Sequence, residues 1–377
     1  MFKTARKILK INTKYMKIKF TDLYKLILNK KQIISKLNYL IKNSNFIGGN
    51  EVKSFEKNFS RYAGAKYCIS VGNGTDALEI AIKSLNLKKG SEIIIPTNTW
   101  ISTAEAVVNN GLKLVFCDIN LKDYSLCLND LKKKLTSKTK AIIAVHLYGN
   151  PTNIPQIKKI IKKKNIKLIE DCAQAHGSKI NKKHVGTFGD IGTFSFFPGK
   201  NLGAFGDGGA IITNSKKISE YCFRDRNHGA LKKYDHHFSG RNSRLDSIQA
   251  AVLNIKLKNY NNVVKKRNYL AKIYFQNLKE IKEIDLFKLE KKNKSVFHQF
   301  VIKTNKRNEL KKYLSKHKIE TMIHYPYMLN ELKCFPNSKI INARNLGDKI
   351  LSLPISEEHT KIEIDYISKI IKQFFKI

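Results

Sequence analysis

Acidic residues are scarce in this 377-residue chain: 30 Asp and Glu stand against 71 Lys and Arg, a formal net charge of +41. Such an imbalance invites a nucleic-acid or anionic-membrane partner, because clustered basic side chains attract phosphate polymers. The shortage of arginine argues the other way. Only nine basic residues are Arg and 62 are Lys, spread over every segment beside many Ile and Asn, as an AT-rich coding bias would spread them. Arginine is the better bidentate phosphate reader. No helix-turn-helix and no interleaving of aromatic with basic residues stands out, so no dedicated nucleic-acid or membrane partner is expected. The six cysteines show no short paired spacing, which excludes a zinc knot or a disulfide framework and fits small buried side chains in a reducing cytoplasm. No run of about 18 apolar residues exists to span a membrane. Met1 to Phe20 is basic but lacks the apolar centre of a signal peptide. The expected location is the cytoplasm. Residues 1–15 read as a basic extension, or as the product of a start upstream of Met16.

What is present is a rhythm. From Tyr67 to Thr213, short β-branched runs alternate with amphipathic stretches: Cys68–Val71, Glu92–Ile95, Leu114–Cys117, Ala141–Val145, Lys167–Ile169, Thr193–Phe196 and Ala210–Thr213 as strands, with helices such as Thr75–Leu85 and Ile154–Lys164 between them. That alternation predicts an α/β fold with a mostly parallel sheet covered on both faces. A long helical stretch, Leu245–Leu278, follows, then one strand within Ser295–Thr304 and further helices. The expected division is a large domain over 16–255, including a helix-like segment Thr21–Lys42, and a smaller α+β domain over 256–377. In parallel sheets ligands collect at the carboxyl ends of strands, and the chemically suggestive residues fall there.

Lys200 lies just after an apolar strand, in the run Phe194-Ser195-Phe196-Phe197-Pro198-Gly199-Lys200-Asn201-Leu202-Gly203, too rich in glycine for a helix. Any one of 62 lysines is ordinarily a solvated charge; this setting singles Lys200 out. Upstream by 29 positions is Asp171, within Glu170-Asp171-Cys172-Ala173-Gln174-Ala175-His176-Gly177. The pair suggests an aldehyde cofactor, pyridoxal 5′-phosphate: an amine to hold it as a Schiff base and a carboxylate to keep its ring nitrogen protonated. Alone, Asp171 would read equally as a strand-end or capping carboxylate. Gln174 could bond the cofactor's phenolic oxygen, and small Ala173 leaves room for a flat ring. The turn Gly72-Asn73-Gly74-Thr75 ends a strand and opens a helix, which suits either a plain cap or a phosphate site; the hydroxyls of Thr75 and Ser195 favour the phosphate. Trp100, the only tryptophan, reads either as a ring stacked on the cofactor or as a core anchor. His146, His176 and His228 read as structural. His236-His237 reads as a loop rather than a metal site, because no carboxylate or cysteine completes a ligand set, and no metal is expected.

Six ordered segments carry a resemblance: Gly72–Leu78, Val145–Gly149, Glu170–Gly177, Ser195–Gly209, Gly240–Asp246 and Ile323-His324-Tyr325-Pro326. From about Met16 to the C-terminus the chain resembles the DegT-type nucleotide-sugar aminotransferases. The resemblance implies fold type I of the pyridoxal-phosphate enzymes, aspartate aminotransferase-like, and a homodimer with active sites at the interface. It implies Lys200 as the Schiff-base lysine, Asp171 as the pyridine-nitrogen partner, Gln174 as the phenolic-oxygen contact and Trp100 as the stacking ring. Gly74, Thr75 and Ser195 would bind the phosphate, Asn242 would reach the neighbouring subunit's phosphate, and His324 and Tyr325 would belong to the sugar-nucleotide pocket. Arg241 occupies a variable place, and its role stays open.

The implied activity moves an amino group from L-glutamate to a keto sugar nucleotide, the cofactor cycling through pyridoxamine 5′-phosphate. Members that aminate C-3 of a dTDP-linked 3-keto-6-deoxyhexose for O-antigen or another surface glycan are nearest; a C-4 aminotransferase on a UDP-4-keto sugar is the alternative. The family's dehydratases carry histidine where this chain has Lys200. A basic binding module on the same fold rests on the +41 charge alone.

Overall fold

A computed structural model describes residues 16–336 and 338–377; the expected extension, residues 1–15, lies outside them. Seven strands form the central sheet: β1 (Tyr67–Val71), β2 (Glu92–Pro96), β3 (Lys113–Cys117), β4 (Thr139–Val145), β5 (Lys167–Asp171), β6 (Ile191–Ser195) and β7 (Gly209–Thr213). Their order is β1-β7-β6-β5-β4-β2-β3. Only β7 runs against the rest, pairing antiparallel with both β1 and β6. Side chains alternate between the two faces of a strand. Ile93, Ile95, Ile143 and Ile169 accordingly join one apolar cluster, while Ile94, Ile142, Ala144 and Leu168 join the other. Both faces are buried, which is why these strands read as continuous apolar runs rather than alternating ones.

Eleven α-helices are described: α1 (Lys30–Lys42), α2 (Gly49–Ala63), α3 (Gly74–Ser84), α4 (Ser102–Asn109), α5 (Leu128–Lys134), α6 (Ile154–Ile161), α7 (Lys216–Arg226), α8 (Ser247–Lys258), α9 (Tyr260–Leu278), α10 (Arg307–Lys316) and α11 (Lys361–Phe375). Phe55 and Phe59 of α2 are fully buried and meet Phe196 edge-on with ring centroids 5.2 and 5.3 Å away. A second sheet, antiparallel, is made of β8 (Asp285–Leu286), β9 (Phe300–Lys303) and β10 (Ile350–Leu353). Its core is continuous with one face of the central sheet, since Ile143 and Phe300 share a cluster. No described helix is long and apolar enough to cross a membrane.

Four details depart from the sequence reading. The segment Thr21–Lys42 is helical only from Lys30, because Asp22 donates its N–H to Glu358 at 2.8 Å and sets the residues before α1 in turns. The stretch Leu245–Leu278 breaks at Asn259, where the chain turns to bury Tyr260, whose hydroxyl donates to the His176 carbonyl at 2.8 Å. Within Ser295–Thr304 only Phe300–Lys303 pairs in a sheet; Val296 N–H instead donates to the Gly149 carbonyl and Gln299 N–H to that of Tyr148. Strand β10 was not foreseen. The N-terminal segment touches both parts of the chain: α1 packs on α8, whereas Ile18 pairs with Ile319 and Phe20 lies 5.8 Å from the His324 ring.

The end of β5 is fixed by Glu170. This fully buried carboxylate accepts from the N–H groups of Gly186, Phe188 and Gly189 at 2.9, 2.7 and 2.7 Å and from His146 Nε2 at 3.0 Å. Thr152 N–H donates to His146 Nδ1, which leaves the Nε2 proton for Glu170. Burial opposes ionisation, yet the His146 ring and the Gly186 and Gly189 amides together hold the carboxylate below its ordinary pKa. A depressed carboxylate stabilises the fold above its unfolded-state pKa, and the gain fades as pH falls through the folded value. Glu170→Ala is expected to cost about 3 kcal/mol or more, since each buried donor left without an acceptor costs about 1–3 kcal/mol, as read by urea unfolding at neutral pH; a loss within experimental error would contradict this role.

Candidate active site

The parallel strands deliver their carboxyl ends to one edge of the sheet, and Asp171, last residue of β5, sits between Val145 of β4 and Thr193 of β6. Its side chain is buried, with Ala173 N–H donating at 3.1 Å and Thr103 Oγ1 at 3.0 Å. Burial raises its pKa despite those two donors and the nearby Lys200 amine. Lys200 follows β6 and is half-buried. Exclusion of water lowers its pKa to about 8, and Asp171 partly offsets the fall. An acid short of donors thus lies within electrostatic reach of an amine that gives up its proton at about pH 8. That combination fits a group with a cationic nitrogen at one end and an aldehyde at the other.

The structure also brings the expected phosphate residues together. Asn73 caps α3 through its Oδ1, which accepts from Asp76 N–H at 2.8 Å. The Gly74 and Thr75 amides open the helix, where N–H groups have no partner inside it. A Cβ on Gly74 would stand 2.7 Å from the Ser195 Cβ, so only glycine lets the β1–α3 turn approach the end of β6 so closely. Thr75 Oγ1 donates to Ser102 Oγ at 2.8 Å. A helix N-terminus beside hydroxyls is chemistry that can hold a phosphate dianion.

Trp100 is 57% exposed, which removes the core-anchor reading and leaves its face open, 5.6 Å from the Tyr325 ring. Gln174 is buried; its Oε1 accepts from Tyr148 N–H at 2.6 Å and its Nε2 donates to the Tyr325 hydroxyl at 3.0 Å, with a second Nε2 hydrogen to spare. His324 is more committed than the sequence suggested. Its Nδ1 bonds Ser352 Oγ at 2.9 Å and its Nε2 lies 3.2 Å from Gln299 Nε2, so both nitrogens are engaged by the protein. Burial and Lys200 lower its pKa to about 4, keeping it neutral. Asn242 faces solvent, and among the described residues no hydrogen bond joins its side chain to the other candidates. Its neighbour Ser243 accepts from Gly72 N–H at 2.9 Å and donates to Asp76 at 2.6 Å. Arg241 pairs with Glu79, Asp76 and Asp225, which pins this segment to α3 and α7.

Several residues went unread. Thr103 is an ordinary helix threonine in sequence, yet it is one of two donors to Asp171. His298 bonds Asn201 Oδ1 at 2.7 Å and is held neutral by burial and the neighbouring charges of Lys200 and Arg267. Its only signal was its place within the expected strand segment, Ser295–Thr304. His176, which the sequence reads as structural, is buried between Phe194 and Phe196, 5.5 Å from each ring, and burial drops its pKa to about 3. The Asp235 carboxylate meets His237 at 3.0 Å, and among the described residues no group of three His, Cys, Asp or Glu side chains could hold a metal ion.

Comparison with known proteins agrees with this geometry. Residues 28–372 match the DegT/DnrJ/EryC1/StrS aminotransferase family. The dTDP-3-amino-3,6-dideoxy-alpha-D-galactopyranose transaminase of Aneurinibacillus thermoaerophilus is 39% identical over 361 residues, 95% of this chain and 99% of that protein. The UDP-N-acetyl-3-dehydro-alpha-D-glucosamine 3-aminotransferase of Acidithiobacillus ferrooxidans is 36% identical over 345 residues, 91% of this chain and 93% of its own. The crystal structure of S. venezuelae DesV in complex with a ketimine intermediate superposes with a TM-score of 0.92 at 30% identity, covering 95% of this chain and 98% of that one. Sheet order and structural neighbours define a pyridoxal-phosphate enzyme of fold type I. The chain belongs to the DegT/DnrJ/EryC1/StrS aminotransferase family and is a nucleotide-sugar aminotransferase.

Only a neutral amine attacks an aldehyde, and Lys200 becomes neutral near pH 8. Capture of pyridoxal phosphate by the cofactor-free protein, followed by absorbance, is expected to quicken roughly tenfold from pH 6 to 7 and level off above about pH 8. A rate still climbing tenfold between pH 9 and 10 would contradict the lowered value.

Proposed function

We propose that this enzyme carries the amino group of L-glutamate to C-3 of a dTDP-linked 3-keto-6-deoxyhexose, with pyridoxal 5′-phosphate resident at Lys200, for O-antigen or another surface glycan made in the cytoplasm. The observation that carries the reading is an amine, Lys200, lowered to about 8, within electrostatic reach of Asp171, a buried acid raised above its ordinary range. When bound, the cofactor supplies a conjugated ring able to take up the electron pair left as a proton departs the amino-bearing carbon. Lys200 would hold it covalently and, once freed by the incoming amine, accept and return that proton. Asp171 would keep the ring nitrogen protonated, a charge-assisted bond in a site with little water. Gln174 would spend its spare Nε2 hydrogen on the phenolic oxygen, and Trp100 would cover one ring face. Gly74, Thr75 and Ser195 would hold the phosphate.

The second substrate enters beside His324 and Tyr325. Since the His324 ring nitrogens are already engaged, Tyr325 is the polar tip of that pair available to a sugar nucleotide, and His324 sets its place. Trp100, Phe197 and Phe205 are 57%, 54% and 40% exposed near the site, more apolar surface than a monomer needs there. This supports a homodimer in which Asn242 serves the neighbouring subunit's phosphate. The large domain, 16–255, would hold the cofactor and the small one, 256–377, would close over it.

The names of the two relatives both place amination at C-3, one on a dTDP sugar and one on a UDP sugar. They support the C-3 choice; a C-4 aminotransferase on a UDP-4-keto sugar is the runner-up. Lysine at position 200, where the dehydratases carry histidine, favours amino transfer over dehydration. The deciding experiment incubates the enzyme with glutamate and a panel of keto sugar nucleotides and assigns the product by NMR. A 3-amino dTDP sugar is expected; a 4-amino UDP sugar would move the assignment to the runner-up. Lys200→Ala is expected to purify colourless and without turnover, and a yellow variant with the parent's rate would refute the role of Lys200.

A further inference from the structure

Three parts of the site converge on a residue with no assigned role. Tyr148 is 1% exposed and sits at φ 58°, a left-handed conformation that bulky residues rarely adopt unless their surroundings impose it. Here the backbone aims both ends of the residue at site elements. Its N–H donates to Gln174 Oε1 at 2.6 Å, and its carbonyl accepts from Gln299 N–H at 3.3 Å. Its hydroxyl donates to the His324 carbonyl and accepts from Asn98 Nδ2 at 3.4 Å.

The corner that holds it has no slack. A Cβ on Gly149 would meet Val296 Cγ2 at 2.8 Å and His298 N at 2.9 Å. The Gly149 carbonyl takes two hydroxyl donors, Ser178 at 2.7 Å and Ser295 at 2.9 Å. A ring of bonds then closes: Gln174 to Tyr148, Tyr148 to His324, and Tyr325, next in the chain, back to Gln174 at 3.0 Å. Gln299 braces the same ring through the His324 imidazole. Burial keeps the Tyr148 hydroxyl protonated by raising its pKa well above the usual value, so it remains a donor at working pH.

We infer that Tyr148 is a positioning residue for the amino acceptor: its hydroxyl sets the His324-Tyr325 loop at a fixed distance from Gln174, so one corner registers the sugar-nucleotide pocket against the cofactor contact. The inference rests on the aminotransferase reading above. It makes Tyr148 matter to the sugar nucleotide more than to glutamate, because its hydroxyl bonds the loop assigned to the acceptor while its bond to Gln174 is made by the backbone.

Tyr148→Phe keeps the ring, its edge-on packing on Tyr124 at 5.6 Å and both backbone bonds, and removes only the hydroxyl. The parent and Y148F holoenzymes are compared by how glutamate and an amino sugar nucleotide bleach the yellow band. The probe is dTDP-3-amino-3,6-dideoxygalactose, or a UDP-linked 4-amino sugar if the parent responds only to that. The half-saturating concentration of the sugar nucleotide is expected to rise roughly fivefold or more relative to that of glutamate. Equal changes for both amines, or none, would overturn the inference. A second arm needs no substrate: amide hydrogen exchange of residues 322–327, read by mass spectrometry, is expected to quicken in Y148F, and identical exchange would also overturn it. A parent protein that never turns yellow with pyridoxal phosphate would sink the aminotransferase reading instead, leaving the exchange arm to decide what Tyr148 holds.

Discussion

Two consecutive carboxylates at the end of β5 meet opposite fates, and the site depends on the difference. Glu170 points to one side of the strand, where three backbone amides and an imidazole surround it; its pKa is depressed although it is fully buried. Asp171 points to the other side, with two donors only, and its pKa is raised. A buried acid with too few donors is costly to ionise unless a cation arrives. That unmet demand is what a protonated ring nitrogen would satisfy, and the strand's two-residue period places Asp171 beside a fully anchored neighbour.

The amine is tuned from the other direction. Lys200 hangs on a glycine-rich segment after β6 where water is largely excluded, so its proton is loosely held. Parallel strands put both groups on the same edge of the sheet, and the close approach of Gly74 to Ser195 brings the start of α3 to that edge as well. The second sheet contributes its share through the segment that leads into β9. Ser295 to Gln299 crosses to the Tyr148-Gly149 corner, which ties the loop of His324 and Tyr325 to the residue that also fixes Gln174.

Much of this was legible in the residues. Each of the seven β-branched runs became a strand of the central sheet, because strands buried on both faces need apolar side chains at every position. Lys200 and Asp171 stood out because polar residues directly after such runs must lie at the sheet's edge. The remainder was set by contacts distant in sequence. Nothing local in Val145-His146-Leu147-Tyr148-Gly149 announces a left-handed tyrosine, and nothing near His324 announces that Ser352 and Gln299 would occupy both of its nitrogens. The break at Asn259 likewise follows from burial of Tyr260 against the turn after β5, while helix periodicity runs straight through it. Trp100 carried two readings in sequence, and its exposure removes the core anchor.

The central claim is that one amine among 62 lysines is made reactive by where it sits. Borohydride treatment of the yellow holoenzyme, which fixes the cofactor to whichever amine holds it, followed by peptide mass spectrometry, tests that directly. The account predicts the added mass on the peptide containing Lys200 and on no other. A label on a different lysine, or one spread over many, would contradict it.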